Sequence, residues 1–251
     1  MIRNLPQVTK NLLILNILFW LASLVLASSG IDLIGELGAY YFNSPNFKPY
    51  QIITHFFMHS IGTQGQISIW HILMNMFLLL MFGAHLERVW GSKRFFIFYV
   101  ASAMGALVLY NSIGIIQIAE LKSTLSSLGY NISELNYDLI HNKPFPYSID
   151  DEGILKQYAT MINTPMVGAS GAIFGLLAGF AMLFPNIQLM LLFPPIPIKA
   201  KYLIGGYIAF EVYSSFNMSG DHIAHLAHVG GAIVGILFIL VWRKKDRGNT
   251  H

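Results

Sequence analysis

Gly168-Ala169-Ser170-Gly171-Ala172-Ile173-Phe174-Gly175 is a run of small residues carrying one hydroxyl, and it opens directly into an apolar segment that ends at Phe184. Residues 170–184 make 15 residues of helix, about 22 Å at the α-helical rise, whereas a bilayer core is about 30 Å thick. Such a helix is too short to span. It either stays out of the membrane or begins inside it, and the second option needs the preceding backbone to line a cavity where its polar groups find partners. A serine then stands at a buried helix start.

The rest of the chain points to a membrane. Of 251 residues, 55% are hydrophobic and 11% are charged, against about 25% charged in a soluble domain. Cysteine is absent, which excludes a disulfide framework, a thiolate nucleophile and a cysteine-ligated metal. A first apolar run, residues 12–27, follows Arg3 and Lys10. Ala27-Ser28-Ser29 mimics a signal-peptide cleavage site, but the run has span length and more spans follow, so it reads as a retained helix.

Spans are expected near residues 11–28, 69–86, 95–118, 202–218 and 222–242, with the short helix as the fourth of six. Residues 119–164 form an acidic insertion, three lysines against six carboxylates, read as an extramembrane loop. The organisation is then a cytoplasmic N-terminus over 1–10, a membrane domain over 11–242 and a basic tail over 243–251. With the N-terminus inside, eleven Lys and Arg (3, 10, 88, 93, 94, 199, 201, 243, 244, 245 and 247) face the cytoplasm and four (48, 122, 143 and 156) face out. Both termini are expected to be cytoplasmic, and Ser170 is approached from the opposite side.

Polar groups inside spans are functional candidates because burying them is costly. Here they are Ser170, His71 with Asn75, and His222, His225 and His228. Gly171, Gly175 and Gly179 make a four-residue small-residue stripe, as do Gly231 and Gly235, so Ser170 on its own is equally a packing residue. Pairing the two stripes brings Ser170 to His228, and a serine within hydrogen-bond reach of a histidine is a nucleophile with its base. His71 and Asn75, four residues apart, share a helix face and offer donors for an oxyanion, or an interhelical hydrogen bond. His55 and His59 have the same spacing and could join His71 around a metal. No intramembrane carboxylate is seen to accompany them, HExxH is absent, and three-way chelation from the helix of His222, His225 and His228 is unfavoured, so no metal is expected.

These residues resemble the rhomboid intramembrane serine proteases over about residues 50–240. The resemblance rests on His71-x-x-x-Asn75, Leu86-Glu87 followed by Gly91-Ser92, Gly168-Ala169-Ser170-Gly171, and Ala227-His228-x-x-Gly231-x-x-x-Gly235, in that order. It implies an all-α, six-span bundle of the bacterial type whose short fourth helix starts inside the membrane. It further implies Ser170 as nucleophile and His228 as base, a dyad with no carboxylate third member, and an oxyanion hole of His71, Asn75 and the Ser170 N–H. Phe174 falls where some members stack a tyrosine on the catalytic histidine, and Gly168, Gly171, Gly231 and Gly235 serve packing and substrate access. The chain departs from the family in having no Trp or Arg over residues 29–68, a 12-residue interval from His59 to His71, and the 119–164 insertion.

The function implied is cleavage of peptide bonds in or near transmembrane helices. The alternatives are an inactive rhomboid-like protein that binds membrane clients, and a transporter, against which stand the absent internal repeat and absent paired carboxylates. The expected partners are transmembrane substrates and the lipid bilayer, with no cofactor, metal or nucleic acid. The expected location is the bacterial cytoplasmic membrane.

Overall fold

The computed structural model describes residues 4–62, 67–141, 143, 151–190, 194–217 and 222–248. Arg3, Asp150 and the side chains of His222 and Arg247, all used above, lie outside the described residues. The protein is a helical bundle of the multi-pass membrane type. Its helices are α1 (Gln7–Ala27), α2 (Leu33–Leu37), α3 (Gln51–Thr54), α4 (Trp70–Leu78), α5 (Ala84–Ser127), α6 (Ile132–Ile140), α7 (Glu152–Asn163), α8 (Ser170–Leu183), α9 (Ala200–Asn217) and α10 (His222–Gly248). Apolar side chains at Leu18, Val25, Trp70, Val108, Phe216 and Val241 face outward, as they do where lipid is the solvent.

α4 runs through a π-type turn at Leu79–Gly83 into α5, which breaks at Gly91 with φ 77°. A Cβ built on Gly83 would lie 3.3 Å from the Phe95 ring, although 12 residues of unbroken helix would separate the two by about 18 Å. The chain therefore reverses at Gly91, where the left-handed backbone suits glycine. This splits α5 into the end of the second pass and the whole of the third.

One buried carboxylate holds the reversal to the first helix. Glu87, 2% exposed, accepts from the Val8 N–H at 2.9 Å, the Thr9 N–H at 2.7 Å, the Thr9 hydroxyl at 2.8 Å and the Ser92 hydroxyl at 2.6 Å. Val8 and Thr9 belong to the first turn of α1, whose N–H groups have no intrahelical acceptor and whose dipole favours a negative charge. Glu87→Ala removes the acceptor for all four donors. It is expected to lower stability by about 3 kcal/mol or more, since one hydrogen bond to a charged group contributes about 1.5–3. Thermal unfolding in detergent checks this, and an unchanged midpoint removes the capping role.

Lys93 and Arg94 sit at this turn, Arg94 lies 5.6 Å from the Trp242 ring, and Arg243 donates to the Met182 carbonyl. The start of α1, the Gly91 turn and the ends of α8 and α10 thus share the basic end of the bundle. The proline-rich break after α8 forms a small antiparallel hairpin, β1 (Gln188–Met190) with β2 (Pro197–Lys199), at the same end. Among the described residues, this hairpin and an antiparallel bridge between Ala39 and Met166 are the β pairings in an otherwise helical chain.

Over its described residues the insertion is largely helical rather than a loop. α5 continues to Ser127, and α6 and α7 bury Leu135, Leu139, Leu155, Tyr158, Met161 and Ile162 in one core with Tyr41, Ala106 and Ala227. Spacings of three and four residues along these helices put those side chains on single faces. The polar residues between them face outward, and they made the segment read as loop.

α8 is the hub. Residues 171–180 are buried without a break, and the helix is 14 residues long, about 21 Å. It packs on α10 through glycine pairs: a Cβ on Gly231 would collide with the Gly171 carbonyl, and one on Gly235 would lie 2.7 Å from that of Gly175. α5 closes the third side, with Ala106 against Gly171, Ser102 against Gly175, and Gly105 against Gly230 and Val234. The pairing of α8 with α10 follows from the stripes; the small residues of α5 complete it.

Candidate active site

Close packing of α8 against α10 puts two side chains in contact across 58 residues. His228 Nε2 stands 3.0 Å from Ser170 Oγ. Phe174, one turn along α8, stacks on the His228 ring at 4.2 Å between centroids and 12° between planes, and Tyr207 of α9 packs on the other ring of that pair. The imidazole is thereby held in plane with the serine at its edge.

Ser170 is the first residue of α8, and the first backbone bond of the helix runs from the Ile173 N–H to the Ala169 carbonyl. The N–H groups of Ser170, Gly171 and Ala172 therefore have no intrahelical acceptor, and they carry the positive end of the helix dipole. Gly168, at φ 115°, turns the chain into this start and donates its N–H to the His55 carbonyl at 3.0 Å. A Cβ on Gly168 would lie 3.1 Å from His71 Nε2 and 3.7 Å from Ser170 Oγ, so the glycine leaves the space between them clear.

His71 Nδ1 accepts the Ser60 N–H at 3.2 Å. That assigns the ring proton to Nε2, the nitrogen facing the serine. Asn75 is placed differently. It is buried one turn along α4, its amide nitrogen donates to the His71 carbonyl at 2.7 Å, and its Oδ1 has no partner among the described residues. Asn75 does not line the cavity, whereas His71 does.

That cavity, about 340 Å³, is lined by Ser170, His71 and His228 together with Tyr110, Met161 and Met166. The insertion thus contributes directly to the space above the serine through α7. His55 lines the same cavity and His59 packs edge-on to the His71 ring, and each is held by a hydrogen bond: His55 Nδ1 bonds the Gln51 carbonyl at 2.8 Å, and His59 Nε2 bonds Asn16 Oδ1 at 2.8 Å. Burial pushes His55 down to about 4 and His59 down to about 3, so both are neutral rings at neutral pH. With His71 they are not among the described residues whose donor atoms lie close enough together to share a metal ion.

The resemblance implies a dyad with no carboxylate third member, but a carboxylate does lie against His228. Glu211, on α9 and 3% exposed, places Oε2 2.8 Å from His228 Nδ1 and 2.6 Å from His225 Nδ1. His225 and His228, three residues apart on α10, thus converge on one oxygen. Glu211, His225 and His228 are also the set of described residues whose donor atoms lie close enough, within 4.8 Å, to share a metal ion. The separations of 2.6 and 2.8 Å are hydrogen-bond lengths. Two ligands of a tetrahedral zinc stand about 3.3 Å apart when each is about 2.0–2.1 Å from the ion.

The family model described as the Rhomboid domain matches residues 46–117 and 151–245, which is most of the chain. The chain belongs to the rhomboid family. Between those segments the unmatched stretch takes in the end of α5 and all of α6, whereas α7 lies within the matched part. Among curated proteins, the chain is 28% identical over 174 residues to "Rhomboid protein 1, mitochondrial" of Saccharomyces cerevisiae, covering 67% of this chain and 37% of that protein. It is 31% identical over 88 residues to "Presenilin-associated rhomboid-like protein A, mitochondrial" of Danio rerio, covering 33% of this chain and 23% of that protein. The matches therefore span well under half the length of these relatives. Both are mitochondrial by name, so the comparisons give no support to the bacterial cytoplasmic membrane. Family membership supports an intramembrane protease or a rhomboid-like function in a multi-pass membrane protein.

Proposed function

We propose that the chain is an intramembrane serine endopeptidase that cuts peptide bonds in or near the transmembrane helices of other membrane proteins. The 3.0 Å contact between Ser170 Oγ and His228 Nε2 beside a cavity carries this reading. Ser170 Oγ attacks the scissile carbonyl carbon while its proton passes to His228 Nε2. The oxyanion that forms meets the free N–H groups at the start of α8 and the His71 Nε2–H, donors already oriented before the reaction. Collapse of this intermediate breaks the C–N bond, and His228 returns the proton to the leaving amine. Water then attacks the acyl-serine with His228 again as base, which releases the new carboxylate and restores Ser170.

A helical substrate hides its scissile carbonyl in a hydrogen bond, so the segment must unwind before attack. Substrates with glycine or proline near the cut are the expected class. The test is labelling of the detergent-solubilised protein with a serine-directed phosphonate, followed by mapping of the labelled peptide. Label on Ser170 together with cleavage of a reconstituted single-span substrate supports the reading. A protein that folds and binds such substrates but takes no label is a client-binding relative without protease activity.

The oxyanion donors have unequal expected weights. His71→Ala removes a donor aimed at the cavity and is expected to lower kcat by about 10²–10³. Asn75→Ala is expected to lower it less, because Asn75 acts from behind by bonding the carbonyl of His71. Steady-state kinetics on one peptide substrate compares the two, and an unchanged kcat in His71→Ala takes that ring out of the oxyanion hole.

A further inference from the structure

The carboxylate of Glu211 has no part in the two-residue mechanism, yet it sits on the far side of the histidine that mechanism uses. A carboxylate taken out of water on an apolar helix is costly unless it is paired and hydrogen-bonded. Glu211 is so paired. Its Oε2 lies 2.8 Å from His228 Nδ1 and 2.6 Å from His225 Nδ1, and Tyr207, one turn earlier on α9, is an electrostatic neighbour of the same carboxylate. An ionised carboxylate only accepts hydrogen bonds, so both Nδ1 atoms must carry protons. His228 then presents a lone pair at Nε2, the nitrogen 3.0 Å from Ser170 Oγ.

We infer that Glu211 is the positioning residue of this site, making Ser170, His228 and Glu211 a serine-histidine-carboxylate relay in which His225 holds the carboxylate in register. The inference rests on the protease reading above and deepens it. As Ser170 gives up its proton, His228 becomes an imidazolium whose Nδ1–H still points at Glu211 Oε2, so the new positive charge forms against a fixed negative one. The proton does not move on to the carboxylate; Glu211 orients and stabilises. The same logic governs triads on unrelated folds, where replacing the carboxylate by its amide costs about 10⁴ in kcat.

Two features favour this over a merely structural bond. Glu211 faces the edge of His228 opposite the serine, which is where a base needs its support. And the ring is already fixed in plane by Phe174 at 4.2 Å, so packing holds the ring plane while the carboxylate selects which nitrogen carries the proton.

The experiment uses the full chain in detergent or proteoliposomes with Glu211→Gln, Glu211→Asp and Ser170→Ala. The titratable groups around His228 are Glu211 and Tyr207 from α9, His225 from α10, His71 from α4, Tyr110 from α5, and Tyr41 and His55 from the first loop. All of these except Glu211 are left intact in each Glu211 variant, so a change in pH profile reports the carboxylate. Glu211→Gln is expected to lower kcat by about 10²–10⁴. The acidic limb of kcat/KM should also move to lower pH by about one unit or more, because an imidazolium without its carboxylate loses its proton more readily. Glu211→Asp, shorter but charged, should restore the limb toward its wild-type position.

A Glu211→Gln protein that unfolds at the wild-type temperature and keeps both kcat and the limb overturns the inference while leaving the protease reading intact. If Glu211→Gln is too unstable to purify, Glu211→Asp decides by itself: it must keep the wild-type limb, and a limb shifted to lower pH overturns the inference. Activity lost on chelation and restored by zinc in the wild type would make the three residues a metal site and also overturn it. If the wild type neither cleaves nor takes phosphonate at Ser170, the protease reading itself fails, which is a distinct outcome.

Discussion

Ser170→Ala is expected to lower turnover of a reconstituted transmembrane substrate by about 10⁵–10⁶-fold, the scale seen when the nucleophile of a serine protease is removed. Without Oγ there is no acyl intermediate, and His228 is left to activate water at a distance set for an alcohol. Some rate above the uncatalysed reaction should survive, because the α8 N–H groups and His71 still stabilise an oxyanion. The fold should not suffer. The change deletes one oxygen beside the cavity and leaves the glycine contacts of Gly171 and Gly175 untouched. The check is initial-rate cleavage with phosphonate labelling and thermal unfolding on the same preparation. Turnover in Ser170→Ala above about one-hundredth of wild type would remove Ser170 as the nucleophile.

Gly231→Leu is expected to remove activity by a different route. A Cβ at Gly231 collides with the carbonyl oxygen and carbonyl carbon of Gly171, which are backbone and cannot swing aside as a side chain can. α8 and α10 must then separate, and Ser170 and His228 ride on those two helices. A displacement of about 1 Å between reacting groups costs about 10²-fold, and a leucine side chain needs more room than that. Overpacking in a close-packed core also costs about 1–3 kcal/mol. Both signs should appear: cleavage lowered by at least about 10²-fold and a reduced unfolding temperature. Gly205→Leu is the control, since a Cβ there meets nothing within 4 Å. Full cleavage in Gly231→Leu would sever the glycine contact from the chemistry.

Much of this site was readable because its signals are local. The length of the helix that starts at Ser170, the four-residue repeats Gly171-Gly175 and Gly231-Gly235, and the placement of His228 three residues before Gly231 are properties of short segments. A serine and a histidine on two such stripes have few places to go other than against each other. Asn75 shows the limit of the same reasoning. Spacing put it on one face with His71, but its amide turns back to the carbonyl of its own helix, and helix periodicity says nothing about that choice.

Glu211 was missed for a related reason. It is one carboxylate in the apolar run Tyr207-Ile208-Ala209-Phe210-Glu211-Val212-Tyr213, with no repeat tying it to His225 or His228. A rule was available: an acidic residue in a span is a functional candidate until its partner is named. The insertion was misread through its polar composition, although Leu135 with Leu139 and Leu155 with Tyr158 and Ile162 already carry the three- and four-residue spacing of amphipathic helices. Glu87 was noticed as part of a motif, but its capping of α1 spans 78 residues to Thr9.

What the sequence determined by itself is the class of protein, the pairing of two glycine-striped helices and the two residues they bring together. Composition, helix length and small-residue spacing are each fixed by covalent order and by the dimensions of a helix and a bilayer. Only the tertiary structure decided that α9 turns Glu211 toward His228, that α5 supplies the third small-residue face, and that the described insertion folds into helices of which α7 lines the cavity. The reason is physical. The rotation of one helix against another is set by the summed packing of all their contacts, and a carboxylate 14 residues from one histidine and 17 from the other is brought to both only by that sum.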